Sequence, residues 1–191
     1  MFDAHCHFPA ENAIVCSAKL LPQYINYPFD MSLIGVSEAG LDDRYDFRIP
    51  MEKQVDILER ILNYAKLNRI PVSLHCVRAT GAMVKLLKKI RPDEGYCLWH
   101  GFTGSMETAR QLEKLGVLVS IGPRYKGSVK DLKYFVIETD YEGTDASEHD
   151  AILEGLYRKC SEELGISMDY LEEICSARAK AFKNYRLAGK R

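Results

Sequence analysis

The sequence predicts an α/β chain folded as a parallel (β/α) barrel of about seven strands. Short apolar runs alternate with amphipathic helical patterns along most of the 191 residues, which implies βαβ crossovers and a parallel sheet with helices outside. Six residues able to ligate a metal, His5, His7, Glu38, His75, His100 and Asp140, fall at or just past the C-terminal ends of five of those runs. In a barrel such ends share one rim, where active sites are built. The length suits one domain over residues 1–191 with a sizeable core, although a usual barrel takes about 250 residues, so this one is abbreviated.

Each element has a local reason. Residues 1–7 read as a strand, followed after a turn at 9–12 by a second at 13–18. The span 20–30, with Pro22, Pro28 and three aromatics, has no clean period and is either a short helix or a packed loop. A strand at 31–36 delivers Glu38, and Gly40 permits a tight turn just after it. Pro50 opens a helix of about four turns whose Val55, Leu58, Ile61, Leu62 and Ala65 form one stripe. Beyond the strand at 71–75, Thr80 caps a helix carrying Met83, Val84, Leu86, Leu87 and Ile90, which Pro92 stops. The strand from Tyr96 ends at His100. Ser105 caps the next helix and Gly116 closes it where a left-handed residue is wanted. Strands at 117–121 and 135–140 flank a brief helix or turn at 128–133. Two C-terminal helices follow, one stopped by Gly165, the other capped by Ser167.

Composition excludes several classes. Lys+Arg number 26 against Asp+Glu 27, so bulk charge gives no reason to coat nucleic acid or an anionic membrane. No apolar run approaches the twenty or so residues that span a bilayer, and no basic n-region precedes Phe2, so a soluble, cytoplasmic protein is expected. The six cysteines are scattered without a C-x-x-C pair and read as reduced, buried thiols. Cys6 and Cys76, offset by one from histidines, are expected to face the helices.

The chemistry lies in the six-residue set. His5 and His7 are two apart on a strand, so their side chains share a face about 6.6 Å apart along the chain. Imidazole nitrogen and carboxylate oxygen suit borderline divalent ions, and one open catalytic zinc needs only three protein ligands. Six are better explained by two ions sharing a bridging carboxylate, which points to metal-assisted hydrolysis. Taken singly, His75 or His100 is more often a satisfied core histidine than a ligand; the coincidence of five strand ends carries the inference. His149 reads as part of the polar start of a helix and is not counted. Arg44, Arg78, Arg124, Tyr125 and Lys126 follow strand ends and are candidates to contact phosphate or a base, or simply solvated loop residues.

These motifs also resemble a known family, the TatD-like metal-dependent deoxyribonucleases. Asp3-Ala4-His5-Cys6-His7 matches the family's Asp-x-His-x-His, and Ser37-Glu38-Ala39-Gly40-Leu41-Asp42 looks like its Gly-Glu-x-Gly-Leu-Asp. Pro71-Val72-Ser73-Leu74-His75, His100-Gly101-Phe102-Thr103-Gly104 and Glu138-Thr139-Asp140 match three further segments, in order. The resemblance implies a distorted TIM-type barrel cleaving phosphodiester bonds of DNA by metal-activated water; the donor set itself suits zinc, magnesium or manganese. By that match His5, His7, Glu38 and Asp140 hold one ion, and Glu38, His75 and His100 the other. Asp140 and Glu38 are the catalytic carboxylates, Asp140 orienting or deprotonating the water, and Arg44, Arg78, Phe102 and Arg124 are the substrate-contact candidates. Fewer residues separate His7 from Glu38 than the family usually has, which implies that one strand-helix unit is missing. Val77 stands where the family tends to place Arg, with Arg78 one residue later, and Asp43 replaces an aromatic. An amidohydrolase or small-phosphoester hydrolase, and an inactive scaffold, are the competing expectations.

Overall fold

The computed structural model describes residues 1–16, 19–20, 37–44 and 49–185. Its elements run β1 (Asp3–Cys6), β2 (Ala13–Val15), β3 (Lys19–Leu20), β4 (Ser37–Asp42), α1 (Met51–Leu67), β5 (Val72–Val77), α2 (Thr80–Ile90), β6 (Cys97–Trp99), α3 (Met106–Lys114), β7 (Leu118–Ile121), β8 (Phe135–Ile137), α4 (Ala146–Leu164) and α5 (Met168–Lys183). All pairings are parallel, β1 with β2 and β3 to β8 side by side in chain order. Among the described residues the ladders do not close into a ring. Main-chain bonds bridge the seam instead: Asp140 N donates to His5 O at 3.0 Å and His7 N to Tyr141 O at 2.9 Å.

Eight short strands among the described residues thus stand against about seven expected. The run at 13–18 yields β2, and β3 lies at the start of the span left open between helix and loop. The rest of that span and the strand expected at 31–36 lie outside the described residues. Among the described residues no helix separates β1 from β2 or β7 from β8, and 128–133 forms turns, so regular alternation holds only from β4 to β7.

The helices form where periodicity put them. α1 buries Gln54, Ile57, Leu58, Ile61, Leu62 and Ala65, and α2 buries Met83, Leu86, Leu87 and Ile90. Ser105 and Ser167 accept from Thr108 N and Tyr170 N as N-caps, and Gly116 and Gly165 are left-handed at φ 68° and 69°. Thr80 departs from expectation. It is the first helical residue, Ala79 holds the cap position without a side-chain bond, and the Thr80 hydroxyl lies by the Cys76 thiol. No helix among the described residues is long and apolar enough to cross a membrane.

Gly40 is not in a turn. It lies inside β4, in register with His75 of β5, and a Cβ there would stand 1.8 Å from the His75 carbonyl oxygen. The two backbones approach too closely for any side chain, which is the second use of a strand glycine. By strand alternation Glu38, Gly40 and Asp42 share one face with Ser73 and His75, while Ala39, Leu41 and Leu74 turn to the helices and are fully buried. The seam is covered by α4 and α5: Tyr157 Oη donates to Phe2 O at 2.8 Å, and Arg178 donates to Phe135 O at 2.9 Å and Lys133 O at 2.7 Å.

Candidate metal centre

The six residues singled out by strand position converge. Glu38 Oε1 lies 2.8 Å from His75 Nδ1 and 3.2 Å from His100 Nε2, and its Oε2 lies 3.4 Å from His7 Nε2. Asp140 Oδ1 is 3.8 Å from both His5 Nε2 and His7 Nε2 and 4.0 Å from His100 Nδ1. The His5 and His100 rings stack with centroids 4.0 Å apart. Two sets have ligand atoms all within 4.8 Å of one another: His5, Glu38 and His100, and His5, His7 and Asp140. Glu38 and His75 come from inside β4 and β5 rather than from their ends, whereas His100 and Asp140 lie just past β6 and β8. Strands tilted and staggered around a barrel bring different depths of each strand to one level.

Neighbours aim these side chains. His5 Nδ1 hydrogen-bonds Ser73 Oγ at 2.7 Å and His7 Nδ1 the Cys16 carbonyl at 2.8 Å, which turns both Nε2 atoms toward the carboxylates. Asp42 Oδ2 holds His75 Nε2 at 3.0 Å and also accepts from Arg44 Nε at 2.9 Å. Gln54 clamps the Asp42 backbone, accepting from its N–H at 2.9 Å and donating to its carbonyl at 2.8 Å. Arg124 takes Asp140 Oδ2 at 2.6 Å, leaving Oδ1 on the histidine side. Ser73 and Asp42 escaped the sequence reading, although their even spacing from His75 and Glu38 placed them on the same face.

The electrostatics suit a cation. Burial would raise the Glu38 carboxyl, but His100, His7 and His75 outweigh it and hold Glu38 well below the usual carboxylate range. Burial lowers His75, yet Glu38 and Asp42 raise it above the ordinary histidine value. Glu38 Oε2 and His100 Nδ1 are buried with no hydrogen-bond partner among the described residues. Buried polar atoms left so are costly, and a shared cation satisfies them. A third grouping, Asp3, Cys6 and His149, does not suit one, because Cys6 Sγ donates to Phe8 O at 3.1 Å and burial pushes that thiol up to about 12. Cys76 is likewise pushed up to about 12 by burial.

The cluster floors a cavity of about 550 Å³ whose rim includes Arg44, Arg78, Arg124, Thr103 and Glu142. Phe102 does not reach it. It is 1% exposed and packs edge-on against Trp99 and beside Tyr125, and its N–H bonds Ser120 O. Tyr125 is buried with it, and Arg78 holds a left-handed backbone at φ 54° just after β5. His149 is at the start of α4 as expected but faces inward, 2% exposed.

Beneath the cluster, Glu138 is fully buried and accepts from Gly101 N and Ser120 Oγ. Burial holds its carboxyl well above the usual range. The folded protein therefore binds this proton more tightly than the unfolded chain. The stability it contributes is complete below the unfolded value of about 4.3 and is lost as pH rises through the raised folded value. In metal-free buffer, wild-type Tm is expected to fall relative to Glu138→Gln from about pH 4.5 upward. Parallel Tm curves for the two proteins would overturn this.

Comparison with known proteins supplies the family. A family model described as TatD related DNase matches residues 21–184. The chain is 29% identical over 121 residues to the human 3'-5' RNA nuclease TATDN2, covering 63% of this chain and 15% of that protein. It is 30% identical over 90 residues to YabD of Bacillus subtilis, described as an uncharacterized metal-dependent hydrolase, covering 47% of this chain and 35% of YabD. Among solved structures, the TatD homologue YjjV of Escherichia coli aligns with a TM-score of 0.58 at 24% identity, over 81% of this chain and 63% of that one. That likeness shows a shared TIM-barrel fold. The chain thus spans well under half of the curated relatives it matches and somewhat under two thirds of YjjV.

Proposed function

The chain belongs to the TatD-related DNase family, and from that premise we propose that it is a divalent-metal-dependent nuclease hydrolysing phosphodiester bonds of DNA. The observation that carries this reading is Glu38, whose carboxylate lies against His7, His75 and His100 while Asp140 Oδ1 faces His5, His7 and His100. His5, His7, Glu38 and Asp140 would hold one ion, and Glu38, His75 and His100 a second, with zinc, magnesium or manganese all compatible with N and O donors. When bound, such ions lower the pKa of water and take up charge on phosphoryl oxygens.

The chain's own groups do the rest. Asp140, whose Oδ1 faces the histidines while Arg124 holds Oδ2, would orient the attacking water and accept its proton. Arg44, Arg78 and Arg124 at the rim supply positive charge for the substrate's phosphates. Their number fits a short stretch of strand in a protein without bulk positive charge.

The test is cleavage of end-labelled single-stranded DNA, and of RNA of the same sequence, with Mn²⁺, Mg²⁺ or Zn²⁺ and with EDTA. Metal-dependent cleavage of DNA is expected. Cleavage of RNA alone would move the substrate to that of the TATDN2 likeness, and turnover only of small esters or amides would replace the nuclease reading. Metal uptake is checked separately by thermal melts. At an ion concentration 100 times Kd, the fold gains about 2.7 kcal/mol, or roughly 5–10 °C in Tm for a chain of this size. No shift with any of the three ions would favour a scaffold.

A further inference from the structure

Asp3 is a four-bond hub outside the metal set. Its Oδ1 accepts from His5 N at 3.0 Å and Thr139 N at 3.1 Å, and its Oδ2 accepts from Thr139 Oγ1 at 2.6 Å and lies 3.0 Å from His149 Nε2. One buried carboxylate thereby joins β1 at His5, the segment leaving β8 just before Asp140, and the first turn of α4. The other His149 nitrogen meets Asp150 Oδ1 at 2.9 Å, and the ring packs beside Phe8 and Tyr141 with centroids 5.3 and 5.8 Å away.

The segment so held is strained. Asp140 is a non-glycine residue at φ 53°, a conformation that persists only where the surroundings over-determine it. Its restraints include Asp140 N to His5 O, His7 N to Tyr141 O, Arg124 to Asp140 Oδ2, Tyr141 N to Thr139 Oγ1 at 3.1 Å, and Thr139 to Asp3. Two of these pass through Asp3 or through the hydroxyl it holds. This is also the seam where the strand ladder is open, so no continuous β-pairing fixes β1 against β8.

We propose that His149 is a positioning residue for the metal centre: by completing the hydrogen bonding of Asp3, it fixes His5 and Asp140 at their mutual distance across the open seam. It touches neither ion nor substrate. The inference rests on the metal reading above.

The experiment uses Co²⁺ as the probe, with affinity read by calorimetry and ligand geometry by the visible d–d spectrum. His149→Phe keeps a ring between Phe8 and Tyr141 but removes the N–H to Asp3, whereas His149→Gln retains an amide donor. His149→Phe is expected to bind Co²⁺ about tenfold more weakly with an altered spectrum, as loss of outer partners of metal ligands does. His149→Gln is expected to recover most of both. Thr139→Val, which removes the other bond to Asp3 Oδ2, is the second variant should the first not fold, and carries the same expectation. Wild-type affinity and spectrum in a folded His149→Phe, whatever its Tm, would overturn the proposal, as would failure of both variants to fold, which makes the hub a folding device alone. Wild-type protein that takes up no Co²⁺ would instead bring down the metal reading itself.

Discussion

Asp140→Asn is expected to lower kcat on single-stranded DNA by about 10²–10⁴-fold, the range a positioned general base contributes. The substitution removes charge and basicity but keeps an oxygen beside His5 and His7, and saturating Mn²⁺ offsets any loss of ion affinity. Asn is among the residues that tolerate the left-handed backbone Asp140 holds at φ 53°, and its side-chain oxygen still accepts from Arg124. The fold should therefore survive, with Tm within a few degrees of wild type, and KM should move far less than kcat. Steady-state kinetics with saturating Mn²⁺ measure both. Equal kcat in the two proteins would assign the observed cleavage to a contaminant or the proton transfer to another group. Glu38→Gln, which removes the charge the three histidines share, should abolish activity by a different route, through loss of metal uptake.

Gly40→Ala is expected to have the largest effect on the fold. The new methyl would stand 1.8 Å from a backbone oxygen and 2.7 Å from His75 Cβ, so neither a rotamer change nor a flexible neighbour relieves it. β4 and β5 must part or slip, at or above the ~1–3 kcal/mol usual for overpacking. Insoluble protein or a fall in Tm is expected, and because His75 is the residue displaced, metal affinity should drop with it. Gly155→Ala is the contrasting control. Nothing lies within 4 Å of a Cβ at Gly155 in α4, and Ala there should stabilise by about 0.8–1 kcal/mol through helix propensity. Equal Tm for Gly40→Ala and wild type would show that the β4–β5 approach is looser than described.

Glycine illustrates how much was legible. Gly116 and Gly165 follow amphipathic stripes, and a left-handed C-terminal residue needs nothing beyond the helix it ends, so both were readable from neighbours in sequence. Gly40 has the same local look after Glu38, yet its reason is a backbone more than thirty positions away. Ser105 and Ser167 cap as read, because a cap answers to N–H groups three residues on, while at α2 Ala79 holds the cap position and the Thr80 hydroxyl lies by the Cys76 thiol of the preceding strand. Phe102, like Gly40, depends on distant neighbours: its ring packs with Trp99 and Tyr125 in the core rather than toward the cavity.

The candidate site divides along that line. His5, His7, Glu38, His75, His100 and Asp140 were legible because strand polarity and the spacing of donor types are written along the chain, and parallel strands in order carry such residues to one side. Which partners aim them was not. Asp42, Ser73, Asp3 and His149 are polar residues whose meaning depends on contacts spanning from 33 to 146 positions, as with His75 to Asp42 and Asp3 to His149. Sequence alone determined the α/β class, the helix ends at Ser105, Gly116, Gly165 and Ser167, and the types of donor gathered in the candidate site, since each follows from interactions within a few residues. Only the tertiary structure decided the pairing register, the open seam and the hydrogen bonds that orient each ligand, since these are set by distant backbones meeting at fixed distances.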